Sequence, residues 1–470
     1  MLLKKNVIFD ATVTDITNLG FGVTRHGGEV VFVADAVPGD EVSVRVIKVA
    51  SSYAVGRVEK YIRRSAERVE GRCSVGACKS CAYKALSYEY ELGLKRELVV
   101  NSFKKCGLGD AKIGEVVGSP DTVCYRNKAQ YPVTRGADGE YLIGFYAPKS
   151  HRVTEAAKCP LAPAVFAEIL DTCRAFFKKF DISTYDETAG TGLLRHIYLR
   201  RGELSGEVLL TLVINGNSLP HAEELVARVT AAHSDVVGIL INENTADTNV
   251  VLGEKFITLY GRDHIFDTLA GVRLKITAPS FYQVNHGATE LLYAKARELA
   301  DLSEGELLLD LYCGAGSIGL SMARDCREVI GVEIVDSAVE CARYNAAENG
   351  IENASFYTGD AANTEGLLAN AERIRGEKIR PDVVILDPPR GGSDAGLLGY
   401  IANKLSPKRI VYISCNPATL ARDAAILAPL GYEMGRVTPF DLFPGTGHVE
   451  SVVALTRRLD NELQPCGCVN

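Results

Sequence analysis

Cys415 stands in Ser414-Cys415-Asn416-Pro417, directly after the apolar run Arg409-Ile410-Val411-Tyr412-Ile413. That is the pattern of a buried parallel strand, and its carboxyl end is where an open α/β sheet presents its ligand crevice. An ionised thiol there is placed for nucleophilic chemistry. Two other segments read as strand ends of the same sheet: the glycine-rich stretch 307–320, and Asp387-Pro388-Pro389-Arg390 after the apolar run 383–386. Together they describe covalent chemistry beside a nucleotide-type cofactor.

In the stretch 308–319, small residues stand where a strand must turn tightly into a helix, so backbone N–H groups can approach a ligand. Gly314-x-Gly316 followed by Gly319 can be read as a dinucleotide fingerprint, but the acidic residues and the later Asp-Pro-Pro fit S-adenosylmethionine better. Glu333 ends the run 329–333, where a carboxylate can accept both hydroxyls of a ribose diol. Asp387 precedes two prolines, whose fixed φ and missing N–H make a rigid exit from the strand. Asp360, after 356–359, is a further candidate on the adenine side. Taken singly, each has a plainer reading as a solvated charge, a turn or, for Cys415, a buried apolar thiol. Cys313, Cys326 and Cys341 sit in strand-turn or helical patterns and are expected to pack.

The elements that position these residues imply a multidomain chain. Its 470 residues exceed one ordinary core. Residues 1–62 form short β-rich runs (7–17, 20–24, 29–33, 41–49 and 52–61) punctuated by Gly27-Gly28 and Pro38-Gly39-Asp40, which reads as a small closed barrel. Gly20-Phe21-Gly22-Val23 followed by 31–40 resembles the TRAM domain, an OB-like barrel appended to RNA-modifying enzymes. Residues 63–265 read as a central α+β domain, with a helix over 87–106 and strands over 141–146, 197–201, 208–214 and 237–241. Residues 266–460 alternate strand and helix, the signature of a doubly wound, Rossmann-like α/β sheet.

Net charge is −7, so any RNA partner must be held by local basic patches. Candidates are Arg57 to Arg64 with Lys60 and Arg63, Lys95-Arg96, Lys104-Lys105, and Arg195-His196 with Arg200-Arg201. The amino terminus lacks a signal-type apolar core, and no apolar stretch reaches the roughly 20 residues of a membrane span, so a cytoplasmic location without membrane association is expected. Of 13 cysteines, Cys73, Cys78 and Cys81 form a tight Cys-x4-Cys-x2-Cys cluster, with Cys159 far downstream. Three thiolates and a distant fourth can hold a four-iron cluster or a structural zinc, and spacing leaves both open. Cys106 and Cys124 are possible replacement ligands, and Cys466-Gly467-Cys468 has no assigned role.

Five ordered motifs then give the chain a resemblance to the uracil-C5 RNA methyltransferase family. They are 281–285 (FYQVN), 309–316 (LDLYCGAG), 387–390 (DPPR), 414–423 (SCNPATLARD) and 448–452 (HVESV). The resemblance implies that Gln283, Tyr312, Glu333 and Asp387 contact S-adenosylmethionine, that Cys415 is the nucleophile and that Glu450 is the base. It favours a 4Fe–4S cluster on Cys73, Cys78, Cys81 and Cys159, although the family's usual first gap has five residues and Lys79-Ser80 stands where a Gly-Gly is usual. It implies an RNA substrate, 23S rRNA first and tRNA second; separately, a single RNA-engaging surface makes a monomer the expectation. A non-catalytic RNA-binding or iron–sulfur sensing protein on this scaffold would be expected to lose Cys415 or Glu450, and both are present.

Overall fold

A computed structural model describes residues 3–458 except 71, 72, 74, 76, 77, 79 and 149; the Cys466/Cys468 tail lies outside the described residues. The amino-terminal strands are β1 (Ile8–Thr12), β2 (Asp15–Ile16), β3 (Gly22–His26), β4 (Glu29–Ala34), β5 (Glu41–Val49) and β6 (Tyr53–Arg63), in the order β1-β5-β6-β4-β3-β2. The run expected over 7–17 divides at Val13-Thr14, where Val13 N–H donates to Asp40 O and Thr14 N–H to Val23 O. Its first half therefore pairs with β5 and its second with β3, which curls the sheet around Val31, Val33, Val42, Val44 and Val46. On β6 the expected basic strip is exposed, but Arg63 pairs with Glu41 and Arg57 lies 4.0 Å from Glu59.

Helix α1 (Tyr88–Lys105) follows, capped by Ser87, whose side chain accepts from Tyr90 N–H. The central sheet contains β7 (Lys128–Arg135), β8 (Tyr141–Tyr146), β9 (Val153–Glu155), β10 (Leu194–Arg201), β11 (Val208–Ile214), β12 (Val236–Glu243) and β13 (Lys255–Gly261). Its order is β13-β12-β11-β10-β7-β8-β9. Helices α2 (Ala164–Phe180) and α3 (Ala222–Ala232) bury one face through Phe166, Ile169, Phe176 and Val229. The other face, with Tyr198, Leu209 and Leu240, packs into the same core as the hairpin β14 (His264–Leu269) and β15 (Val272–Thr277). Arg195, His196 and Arg200 are buried in β10, because a strand covered on both faces leaves its side chains no route to water; they form no RNA patch.

After α4 (His286–Ala300) comes the carboxyl-terminal sheet. Parallel strands β16 (Leu307–Leu311), β17 (Glu328–Glu333), β18 (Ala354–Thr358), β19 (Val383–Leu386) and β20 (Arg409–Ser414) are joined through α5 (Ser317–Met322), α6 (Asp336–Glu348), α7 (Thr364–Arg375) and α8 (Ala395–Tyr400). Then α9 (Pro417–Leu427), β21 (Tyr432–Met434), β22 (Thr438–Phe440) and β23 (Glu450–Arg457) complete the order β18-β17-β16-β19-β20-β23-β21. Alternate residues feed two cores: Leu308, Val383 and Val411 one face, Leu309, Val384 and Tyr412 the other. The order reverses between β16 and β19, the switch point at which such sheets open a crevice.

Helix α1 lies in the stretch assigned to the central domain, yet it packs against α9, with Val99 and Phe103 in the second of these cores. Lys95 of α1 is fully buried, not part of an RNA patch: its Nζ donates to Glu91 Oε1 at 2.7 Å, Asp441 Oδ1 at 2.6 Å and Phe443 O at 3.2 Å. Glu91 Oε1 also accepts Gly445 N–H at 2.7 Å. Two carboxylates and one ammonium thus clamp the 441–445 loop onto α1. Lys95→Met leaves two buried carboxylates without their cation and is expected to destabilise the fold by about 3–5 kcal/mol, measured as the loss in urea unfolding free energy. A loss under about 0.5 kcal/mol, the range of an ordinary surface substitution, would remove this clamp from the account.

Candidate active site

The carboxyl ends of β16, β17, β19 and β20 deliver Tyr312, Glu333, Asp387 and Cys415 to one edge of the sheet. Strand β23 runs the other way and starts there. Its register with β20 pairs Ile413 with Val452 and Ser414 with Ser451, where the ladder ends. Cys415 is the next residue beyond that end and Glu450 the one before Ser451, and Glu450 acts on the Cys415 thiol. On its other side Glu450 pairs with Phe440 of β22, so the carboxylate is held from two strands and is buried.

Burial, then Glu450 and Asp387, push the Cys415 thiol up to about 11, with Arg390 opposing. Burial and Asp387 raise Glu450 to about 8, again against Arg390. Burial alone brings Asp387 to about 7. Neighbouring Asp310 also reaches about 7 through burial, although its Oδ2 accepts Gly319 N–H at 2.9 Å. The two carboxyls can exchange protons near neutral pH, whereas the thiol stays protonated there until a base takes its proton.

These groups share a cavity of about 710 Å³, a size that suits a nucleoside-bearing ligand. Gln283, Tyr312, Glu333, Asp387, Cys415 and Glu450 all line it. Tyr312 has φ 66°, a conformation an aromatic residue adopts only under constraint, and it turns the chain out of β16 into the Gly314 loop. Glu333 is fixed by two amides: Oε2 accepts Gly314 N–H at 3.1 Å and Oε1 accepts Val335 N–H at 2.9 Å. Gln283 is buried, and its main-chain oxygen accepts Asn127 Nδ2 at 2.7 Å. Asp360 lies on the exposed rim, where Oδ1 accepts Ala362 N–H and caps a short turn. Phe281, Phe443, His448 and Lys128 also line the cavity. The first three belong to recognised motifs or their approach, but Lys128 comes from β7 of the central sheet, and no sequence pattern connects it to residues 153 or more positions away.

The predicted cluster ligands gather in one neighbourhood. Burial, then Cys159, push the Cys81 thiol up to about 12, with Cys78 and Cys73 adding to the shift and Arg126 opposing it. Cys159 is raised by burial and by Cys78 and Cys73. Among the described residues, however, no three His, Cys, Asp or Glu side chains form a set arranged to hold a metal ion. The expected four-cysteine ligand sphere is therefore not formed in this structure. Cys106 caps α1 and packs against the second sheet core, and Cys124 is exposed with N–H donating to Pro160 O. Cys313, Cys326 and Cys341 are buried, as expected of packing residues. No described helix is long and apolar enough to cross a membrane.

Residues 87–458 match the model of the tRNA (uracil-5-)-methyltransferase family and residues 4–58 that of the TRAM domain. An uncharacterized RNA methyltransferase of Clostridium acetobutylicum is 40% identical over 97% of this chain and 98% of its own length. One from Staphylococcus aureus is 39% identical over 96% of this chain and 98% of its own length. The crystal structure of Pyrococcus abyssi tRNA (uracil-54, C5)-methyltransferase in complex with S-adenosyl-L-homocysteine superposes with a TM-score of 0.76 at 28% identity, covering 95% of this chain and all of that one. With its motifs gathered on one cavity and its match to the family model spanning most of its length, the chain belongs to the tRNA (uracil-5-)-methyltransferase family of RNA methyltransferases.

Proposed function

We propose that this enzyme methylates C5 of a uridine in 23S rRNA, with Cys415 adding covalently to C6 and Glu450 removing the C5 proton. The observation that supports the reading is that a thiol and a buried carboxylate, at the adjoining ends of β20 and β23, line one cavity. Uracil C5 is a poor nucleophile until a thiolate adds at C6, which moves the C5=C6 electrons into an enolate. S-adenosylmethionine supplies an electrophilic methyl group on a sulfonium. Glu333 would meet its ribose hydroxyls, and Gln283, Tyr312 and Asp387 would complete the pocket around it. Glu450 then takes the C5 proton; the electrons of that C–H bond restore C5=C6 as the C6–S bond breaks and the thiolate leaves. A carboxyl raised to about 8 is a competent base for this step.

The amino-terminal barrel and the cysteine-bearing central domain support 23S rRNA, since the resemblance associates that combination with ribosomal substrates. A tRNA substrate is the second reading, favoured by the activity in the name of the Pyrococcus abyssi relative. Cells lacking the protein should lose 5-methyluridine from 23S rRNA; loss from tRNA alone would decide for the second. For the metal site, Cys73, Cys78, Cys81 and Cys159 would hold a 4Fe–4S cluster. Supporting this, the ionisation of the Cys81 and Cys159 thiols is opposed by burial and by the neighbouring Cys73 and Cys78, a pattern that a bound cation would relieve.

Glu450→Gln is expected to permit thiolate addition but slow elimination, so that a methylated protein–RNA adduct accumulates on a denaturing gel. Product release at the wild-type rate without adduct would exclude Glu450 as the base. Cys415→Ala should form no adduct, even with 5-fluorouridine RNA, while still binding S-adenosylhomocysteine.

Protonation silences both the thiol and the carboxylate, so single-turnover rates should rise with pH through about 8 and continue upward toward the Cys415 value of about 11. A flat profile across pH 6.5 to 9 would contradict these assignments.

Anaerobic reconstitution is expected to load about four irons per chain. Stoichiometric zinc without iron would overturn the cluster assignment.

A further inference from the structure

Lys128 projects into the cavity from a cluster of cations. In the register of β7 with β10 it lies directly opposite Arg200, so both side chains share one face of the central sheet. Arg126, two residues earlier, acts on it from nearby as well. Like charges placed directly opposite each other on a sheet are destabilising. Here the fault is compounded by burial: Arg200 is 1% exposed and its Nη1 has no hydrogen-bond partner, nor does Arg126 Nε. Burial, then Arg200 and Arg126, push the Lys128 ammonium down to about 8. The cluster is therefore short of negative charge in its own neighbourhood.

The remaining charge around the cavity is arranged oppositely. Glu333, Asp360, Asp387 and Glu450 line it, and among the described lining residues the cations are Arg390 and Lys128. Arg390 acts on Cys415 and Glu450, at the base-facing end. Lys128 enters from the central sheet, where Asn127, its chain neighbour, donates N–H to Val284 O at 3.0 Å and Nδ2 to Gln283 O at 2.7 Å. S-adenosylmethionine carries two cationic groups, the sulfonium and the α-ammonium, and one anion, its carboxylate. The acids of the cavity answer the cations; a recessed ammonium whose chain neighbour Asn127 bonds Gln283 answers the anion. Arg390, the other lining cation, is exposed and is the one open to a backbone phosphate of RNA.

We propose that Lys128, supplied by the central domain, binds the carboxylate of S-adenosylmethionine and, with Arg126 and Arg200 behind it, makes cofactor affinity depend on that domain. This rests on the methyltransferase reading and adds a residue to its cofactor site.

The test is calorimetric titration of the full-length protein with S-adenosylhomocysteine and with its decarboxylated analogue. Wild type should bind the analogue more weakly by roughly ten- to a hundredfold, the loss of a charge-assisted hydrogen bond. Lys128→Met should lose a similar factor for S-adenosylhomocysteine and bind the analogue as wild type does, while Lys128→Arg keeps part of the difference. Equal wild-type affinity for the two ligands overturns the proposal without reference to any variant. So does a Lys128→Met protein that keeps its S-adenosylhomocysteine affinity but binds a 23S rRNA transcript more weakly with a shallower salt dependence, which would assign the ammonium to a phosphate. Failure of the wild type to bind either ligand would instead count against the methyltransferase reading itself.

Discussion

The antiparallel pairing of β20 with β23 is the constraint on which the site depends. Parallel strands bring Tyr312, Glu333, Asp387 and Cys415 to one edge by topology alone, but Glu450 joins them only because the last strand enters from that same edge. Side chains alternate along a strand, so a slip of one residue would turn Glu450 away from the cavity and expose the buried series Val452, Val453 and Leu455 to the wrong neighbours. Apolar packing on both faces therefore enforces the register of the chemistry.

The approach to that strand is secured from outside the sheet. Lys95 binds Asp441 and Phe443 O, Asn285 Nδ2 donates to Leu442 O, Tyr125 hydroxyl donates to Pro444 O, and Tyr83 N–H donates to Gly445 O. These donors come from α1, the segment before α4, the start of the central domain and the cysteine-bearing loop region. The loop that leads into Glu450 is thus held by four segments spread over residues 83 to 285. A Cβ placed on Gly445 would lie 3.8 Å from Cβ of Cys81, so the cysteine neighbourhood and the loop are in van der Waals contact.

Charge is distributed to suit reactive groups that must stay unionised until substrate arrives. Burial raises Asp387 and Glu450, Asp387 raises Glu450 further, both raise the Cys415 thiol, and Arg390 limits the effect at Cys415 and Glu450. Lys128, entering from the central sheet, is depressed by burial and cationic neighbours. Such frustrated charge is costly in an empty cavity and is relieved by a ligand that carries both signs.

Local sequence determined the elements and their chemistry. Apolar runs ending in Asp-Pro-Pro or Ser-Cys-Asn-Pro marked strand ends, glycines marked the tight turn after β16, and Ser87 to Cys106 bounded a helix observed over Tyr88–Lys105. Each signal is short range: a strand's apolar content, a cap or a turn is written within a few residues. Long-range burial was not legible. Lys95 and Arg200 read as surface cations, because nothing beside them in sequence shows that Asp441 lies 346 residues away or that β10 is covered on both faces. Nor could spacing reveal that α1 leaves its neighbours to pack on α9, or that Lys128 enters the cavity. Those outcomes depend on which faces meet, and that is decided by tertiary packing, since the free energy of burying a charge depends on partners brought in from elsewhere in the chain.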